Sequence, residues 1–166
     1  NNFNFQHWDT FSAAVNQCAT VLPLRKPQPF FNKDEIKYAY LSSREEVSIL
    51  LTIGVGNDTV AEEQFRKEQP KTKFYGADPI SDPNDGTYSK MGEFFPFAIG
   101  RDTKKSIASV LVEGRYVDRP MFHLNIIVFL KYIIKQKHID HMWLDAEEQN
   151  SEFTTCSIEK VTSKRR

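Results

Sequence analysis

An α/β fold with a doubly wound, mostly parallel sheet is what this sequence predicts, on three observations. The first is an apolar run, Ser48-Ile49-Leu50-Leu51-Thr52-Ile53, that ends in Gly54-Val55-Gly56-Asn57-Asp58. The second is another apolar run, Phe74-Tyr75-Gly76-Ala77, that ends in Asp78-Pro79-Ile80. The third is the amphipathic stretch 59–69 between them, closed by Pro70. Strand, glycine turn, helix, strand and acid follow in the order that builds a nucleotide pocket at the edge of an open α/β sheet.

The remaining elements fit around that unit. Trp8, Phe11, Ala14, Val15 and Cys18 are spaced mostly by three and four, which predicts a short helix capped by Asp9 or Thr10. Residues 22–31 hold Pro23, Pro27 and Pro29 and read as an extended connector, and 34–40 reads as a helical turn. Residues 46–53 leave no clean polar face, as expected of a strand buried on both sides. The 59–69 helix is expected to turn Val60, Ala61 and Phe65 inward. A strand at 74–77 follows, then a loop or short helix at 82–91 with Asp-Pro and Asp-Gly turn signals, then a third strand at 94–99 ended by Gly100. Residues 106–111 and 116–123 pair as a hairpin around Glu113-Gly114-Arg115. Ile127, Phe129, Leu130, Ile133 and Ile134 share overlapping helical faces within 126–136, and 139–144 is the next strand. Beyond Ser151 the pattern fades. The expected organisation is therefore a cap segment at 1–45, a pocket-bearing domain at 46–152 and a divergent tail at 153–166.

Composition excludes several classes. At 166 residues the chain suits one domain with a sizeable core. Its 22 basic and 22 acidic residues cancel, which argues against a nucleic-acid partner held by bulk charge. The basic run at 160–166 reads as a solvated tail. Cys18 and Cys156 lie far apart without metal-type spacing, and whether they pair stays open. His123, His138 and His141 are scattered, so no metal site is assigned. Ser42, Ser43 and Ser106 lack the Gly-x-Ser-x-Gly setting of a hydrolase nucleophile. No apolar run reaches the length of a membrane span. No signal peptide is visible, but the first residue is Asn1, so an upstream targeting segment and the compartment stay open.

Chemistry concentrates at the expected carboxyl edge of the sheet. Gly54 and Gly56 let the backbone bend sharply and approach a ligand with no Cβ in the way. The start of the following helix, beyond Asn57, is expected to offer free N–H groups to an anionic moiety. Asp78 lies 22 positions after Gly56, where an acid can accept two hydrogen bonds from a ribose diol. Pro79 and Ile80 can pack on a flat purine, and Phe97, Ala98 and Asp145 end neighbouring strands at the same edge. A plain tight turn, with Asp78 as a turn former before Pro79, is the competing reading. The third glycine of the dinucleotide fingerprint is missing, which disfavours NAD and an oxidoreductase. A ligand without pyrophosphate, such as S-adenosylmethionine, suits the bend better.

The segments 51–58, 74–80, 94–100 and 139–147, in that order, resemble the FkbM-type methyltransferase family, over roughly 49–152. The last is the most specific, because the family's strand reads Ile-Asp-x-x-x-x-Asp-x-Glu-Gly-x-Glu. The resemblance implies a Rossmann-like, class I, S-adenosylmethionine-dependent fold in 46–152, and O-methyl transfer to a small-molecule or glycan-like hydroxyl acceptor. It implies a cofactor pocket at Gly54, Gly56, Asn57, Asp78, Pro79, Ile80, Phe97 and Ala98. Asp145 is expected beneath the transferred methyl, with Glu147 the second catalytic candidate and His123 and His141 behind them. Two departures stand out: Glu148 replaces the family's glycine, and only 153–161 remains for the strands that complete such a sheet. A C-terminally shortened, incomplete sheet is therefore expected. That keeps alive an alternative, a catalytically inactive binding or interaction protein, and leaves a sheet edge on which a homodimer could pair. Residues 81–92 and 101–119 are the segments placed to line an acceptor cleft.

Overall fold

The computed structural model describes residues 26–41, 46–112 and 114–145. In chain order its elements are β1 (Gln28–Phe31), β2 (Ile36–Ala39), β3 (Ile49–Ile53), α1 (Val60–Glu68), β4 (Lys73–Ala77), α2 (Asn84–Tyr88), β5 (Glu93–Phe95), β6 (Ala98–Gly100), β7 (Lys104–Val112), β8 (Arg115–Asn125), α3 (Ile126–Val128) and β9 (His141–Leu144). The 8–18 helix, both cysteines, Glu147 and the tail lie outside the described residues.

The fold is α/β, centred on a four-stranded parallel sheet in the order β5-β4-β3-β9. β3 is buried along its whole length because both faces carry a core. Ile49, Leu51 and Ile53 join Tyr75, Ala77, Phe129 and Ile134 on one side. Leu50 joins Phe65, Phe74, Tyr88 and Trp143 on the other, under α1. Alternate residues of a strand point to opposite faces, so an unbroken apolar run is what a doubly covered strand requires. From β3 the chain steps outward through β4 and β5, then returns to β9 on β3's other flank. The strand order thus reverses between β3 and β9, where ligands of open α/β sheets bind.

A second, three-stranded sheet runs β6-β8-β7, with β6 parallel and β7 antiparallel to β8. Ile99 and Leu124 carry it into the core that holds Ile53 and Ala77.

Several local expectations are corrected. Residues 34–40 are not a helical turn: β2 pairs antiparallel with β1, which itself lies inside the expected connector. Burial alternates along β2, but one of its inward residues is Lys37, so the period of two is hidden in the sequence. The expected third strand at 94–99 is two strands in two sheets, broken at Pro96-Phe97. Pro96 has no N–H to give a ladder, which favours a break there. Val60 is exposed, and Glu62 takes an inward place beside Ala61 and Phe65. The 126–136 helix begins as α3, where Asn125 Oδ1 accepts from the N–H groups of Ile127 at 2.9 Å and Val128 at 3.1 Å. It then continues as a π-helix over Phe129–Ile134, ended by Lys135 at φ 55°. Phe129 and Ile134 are buried five positions apart, a spacing that i→i+5 hydrogen bonding brings onto one face.

Candidate functional site

The carboxyl ends of β3, β4 and β9 open on one hollow of about 640 Å³. Each ladder runs on into it: Gly54 N–H donates to Ala77 O at 2.9 Å, Asp78 N–H to Phe95 O at 3.1 Å and Asp145 N–H to Ile53 O at 2.8 Å. Gly54 has φ 82° and Gly56 φ 58°, both in the left-handed region that a Cβ penalises. A Cβ on Gly56 would meet nothing within 4 Å, so the requirement there is conformation, not space. Gly56→Ala is therefore expected to cost only about 1 kcal/mol of stability, measured by chemical denaturation.

Asp78 faces that bend directly. Its Oδ2 accepts from Gly56 N–H at 3.1 Å, and its Oδ1 accepts from Ile80 N–H at 2.8 Å. The Asn84 side chain and the Val55 N–H also favour the charged form of this carboxylate. Burial nonetheless wins, and pushes the Asp78 carboxyl above its ordinary range despite those donors. The two hydrogen bonds from Gly56 and Ile80 fix the turn and leave about two of the carboxylate's roughly four acceptor positions.

Gly54, Gly56, Asn57, Asp78, Pro79, Ile80, Phe97, Ala98 and Asp145 all line the hollow. Of the two segments expected near an acceptor, 81–92 contributes Asp82, Pro83 and Asn84, and 101–119 contributes the hairpin wall with Arg119. His123 lines it too, whereas His141 starts β9, packed with its ring centroid 5.0 Å from that of Phe65. Burial holds the His141 imidazole below its ordinary value.

The start of α1 departs from expectation. Its first N–H groups are not free: Val60 donates to Asp58 Oδ1 at 3.0 Å and Ala61 to Asn32 Oδ1 at 2.8 Å. Asp58 Oδ2 also accepts from Lys33 N–H at 2.7 Å, tying the β1–β2 turn to this end of the helix. A carboxylate thus occupies the place where a phosphate would need donors. The hollow is acidic altogether: Asp34, Glu35, Asp58, Asp78, Asp82 and Asp145 line it, and Arg119 is the lining Lys or Arg among the described residues. The β1–β2 turn was not expected here. It carries no sequence signal, because chain folding alone brings it to the edge.

No helix among the described residues is long and apolar enough to cross a membrane, and none of their His, Cys, Asp and Glu side chains gather as a metal site. Comparison with protein families, curated proteins and solved structures finds no match to this chain.

Proposed function

We propose that the chain is a Rossmann-like, class I methyltransferase that binds S-adenosylmethionine in this hollow and methylates a hydroxyl group of a small-molecule or glycan-like acceptor. One observation carries the reading. At the switch point of a parallel sheet, the Gly54–Gly56 bend and the Asp78 carboxylate meet at 3.1 Å and border the same hollow. The size supports it, since pockets for ligands of this kind span about 300 to 1,000 Å³.

Charge supports it further. S-adenosylmethionine carries a sulfonium and an ammonium, and the acidic lining suits a net cation. NAD carries a pyrophosphate, which would stand against Asp58 at an α1 end whose first donors are already engaged. When bound, the cofactor supplies an activated methyl group. Asp78 accepts hydrogen bonds from the ribose hydroxyls, the bend lets the backbone come close, and Pro79 and Ile80 cover the adenine. Asp145 orients the ammonium or the acceptor.

Calorimetry with S-adenosylmethionine, S-adenosylhomocysteine and NAD tests the reading. Binding of the first two without the third is expected, and binding of NAD alone would refute it. A proton linkage should accompany binding. Asp78's carboxyl is raised by burial, and ribose donors favour its charged form, so binding lowers its pKa and releases a proton. Affinity is expected to rise with pH through Asp78's raised value and to level off above it. Calorimetry in buffers of different ionisation enthalpy measures the proton count, which Asp78→Asn should abolish.

A further inference from the structure

The hollow has a second wall, opposite the acidic edge, formed by β6 and the β7–β8 hairpin. It holds a histidine whose Nδ1 contacts a hydroxyl and a backbone carbonyl. His123 is 3 % exposed, yet it lines the hollow, paired in parallel register with Ala98. Its Nδ1 lies 2.9 Å from Ser106 Oγ and 3.3 Å from Met121 O. A carbonyl oxygen only accepts, so both contacts are hydrogen bonds at once in the tautomer that carries the proton on Nδ1, with Ser106 Oγ accepting from the same N–H. Nε2 is then a bare lone pair.

A Cβ on Gly100 would stand 3.4 Å from His123 Cδ2, so Gly100 packs beside the ring.

We propose that this wall is the acceptor side of the site and that His123 Nε2 is the base for the acceptor hydroxyl, an assignment that rests on the methyltransferase reading. The acceptor oxygen forms a bond to the methyl carbon as the carbon–sulfur bond breaks. The electron pair of that bond goes to sulfur, which leaves as the neutral thioether, and the hydroxyl proton passes to Nε2. Asp78 suits this task less well, since each of its oxygens already accepts from a backbone N–H, of Gly56 and of Ile80. Ser106 acts through His123 as a positioning residue.

The test reads the imidazole itself in the full chain. Long-range proton–nitrogen spectra, with the His123 signals identified by their loss in His123→Gln, are expected to show a protonated Nδ1 and a pyridine-type Nε2. Diethyl pyrocarbonate is expected to label His123 in the folded chain through the hollow, more slowly than the exposed His138. Ser106→Ala, which leaves only the longer Met121 contact, should shift the tautomer ratio toward Nε2–H. An Nε2–H tautomer in the unmodified chain, or an unlabelled His123 while His138 reacts, would overturn the assignment. Calorimetry with S-adenosylhomocysteine keeps the two failures apart. Cofactor binding with an Nε2–H His123 removes the base alone, whereas absent binding removes the methyltransferase reading on which it rests.

Discussion

Replacing Lys37 with methionine is expected to lower stability by about 3 to 5 kcal/mol, the loss typical of stranding one partner of a buried ion pair. Lys37 Nζ lies 3.4 Å from Glu62 Oε1 and 3.0 Å from Glu35 Oε1, and 5.5 Å from the centre of the Trp143 ring. Lys37 and Glu62 are both buried, so water cannot take over for the missing amine. Burial pulls the Lys37 amine down, but Glu62 and Glu35 outweigh it and hold it above its ordinary value. Burial pushes the Glu62 carboxyl up, and the Lys37 charge and the Thr52 hydroxyl only partly offset it.

Without Lys37, the folded-state pKa of Glu62 climbs further. A carboxyl raised above its unfolded value binds more protons in the native state, so its contribution to stability falls as pH rises. The Lys37→Met deficit is therefore expected to be largest at neutral pH and to shrink on acidification. Adding Glu62→Gln should recover most of it, because a neutral amide needs no cation and its oxygen still accepts from Thr52 Oγ1, now 2.9 Å from Glu62 Oε1. Urea unfolding of the single and double variants at two pH values measures all of this. A Lys37→Met variant as stable as the parent at neutral pH would show that the pair is not dry.

Asp78→Ala is expected to weaken S-adenosylhomocysteine binding by about 1 to 3 kcal/mol, roughly five- to 150-fold in Kd, if the carboxylate holds charged hydrogen bonds to ribose. The substitution also strips the bend of an acceptor for Gly56 N–H and Ile80 N–H. Thermal unfolding of the free variant measures that structural part separately. Gly56→Ala is the companion, since it strains the same bend while leaving the carboxylate in place. A variant of Asp78 with unchanged affinity would remove that residue from the ligand's surroundings.

Much of this site was legible because its signals are local. The Gly54–Gly56 bend, the acid after the next strand and the apolar run of β3 sit where short-range patterning put them. The readings failed where tertiary contact overrides local pattern. β2 looked helical because its buried Lys37 is inward only by virtue of Glu62 and Glu35, residues 25 and two positions away. The start of α1 looked open to an anion because nothing in 59–69 shows that Asn32 arrives from the β1–β2 turn. The split of 94–99 depends on a second sheet, which only the pairing of β6 with β8 creates. His123 was one of several scattered histidines until that pairing set it in the wall of the hollow.

Amide chemical-shift mapping with S-adenosylhomocysteine tests the central claim most directly. Perturbations are expected to centre on Gly54, Gly56, Asp78 and Ile80, and to extend to Asp145 at the same edge and to Ala98 at the start of β6. Saturating ligand that leaves the Gly56 and Asp78 amides unmoved, or that perturbs only residues away from the carboxyl ends of β3 and β4, would contradict it.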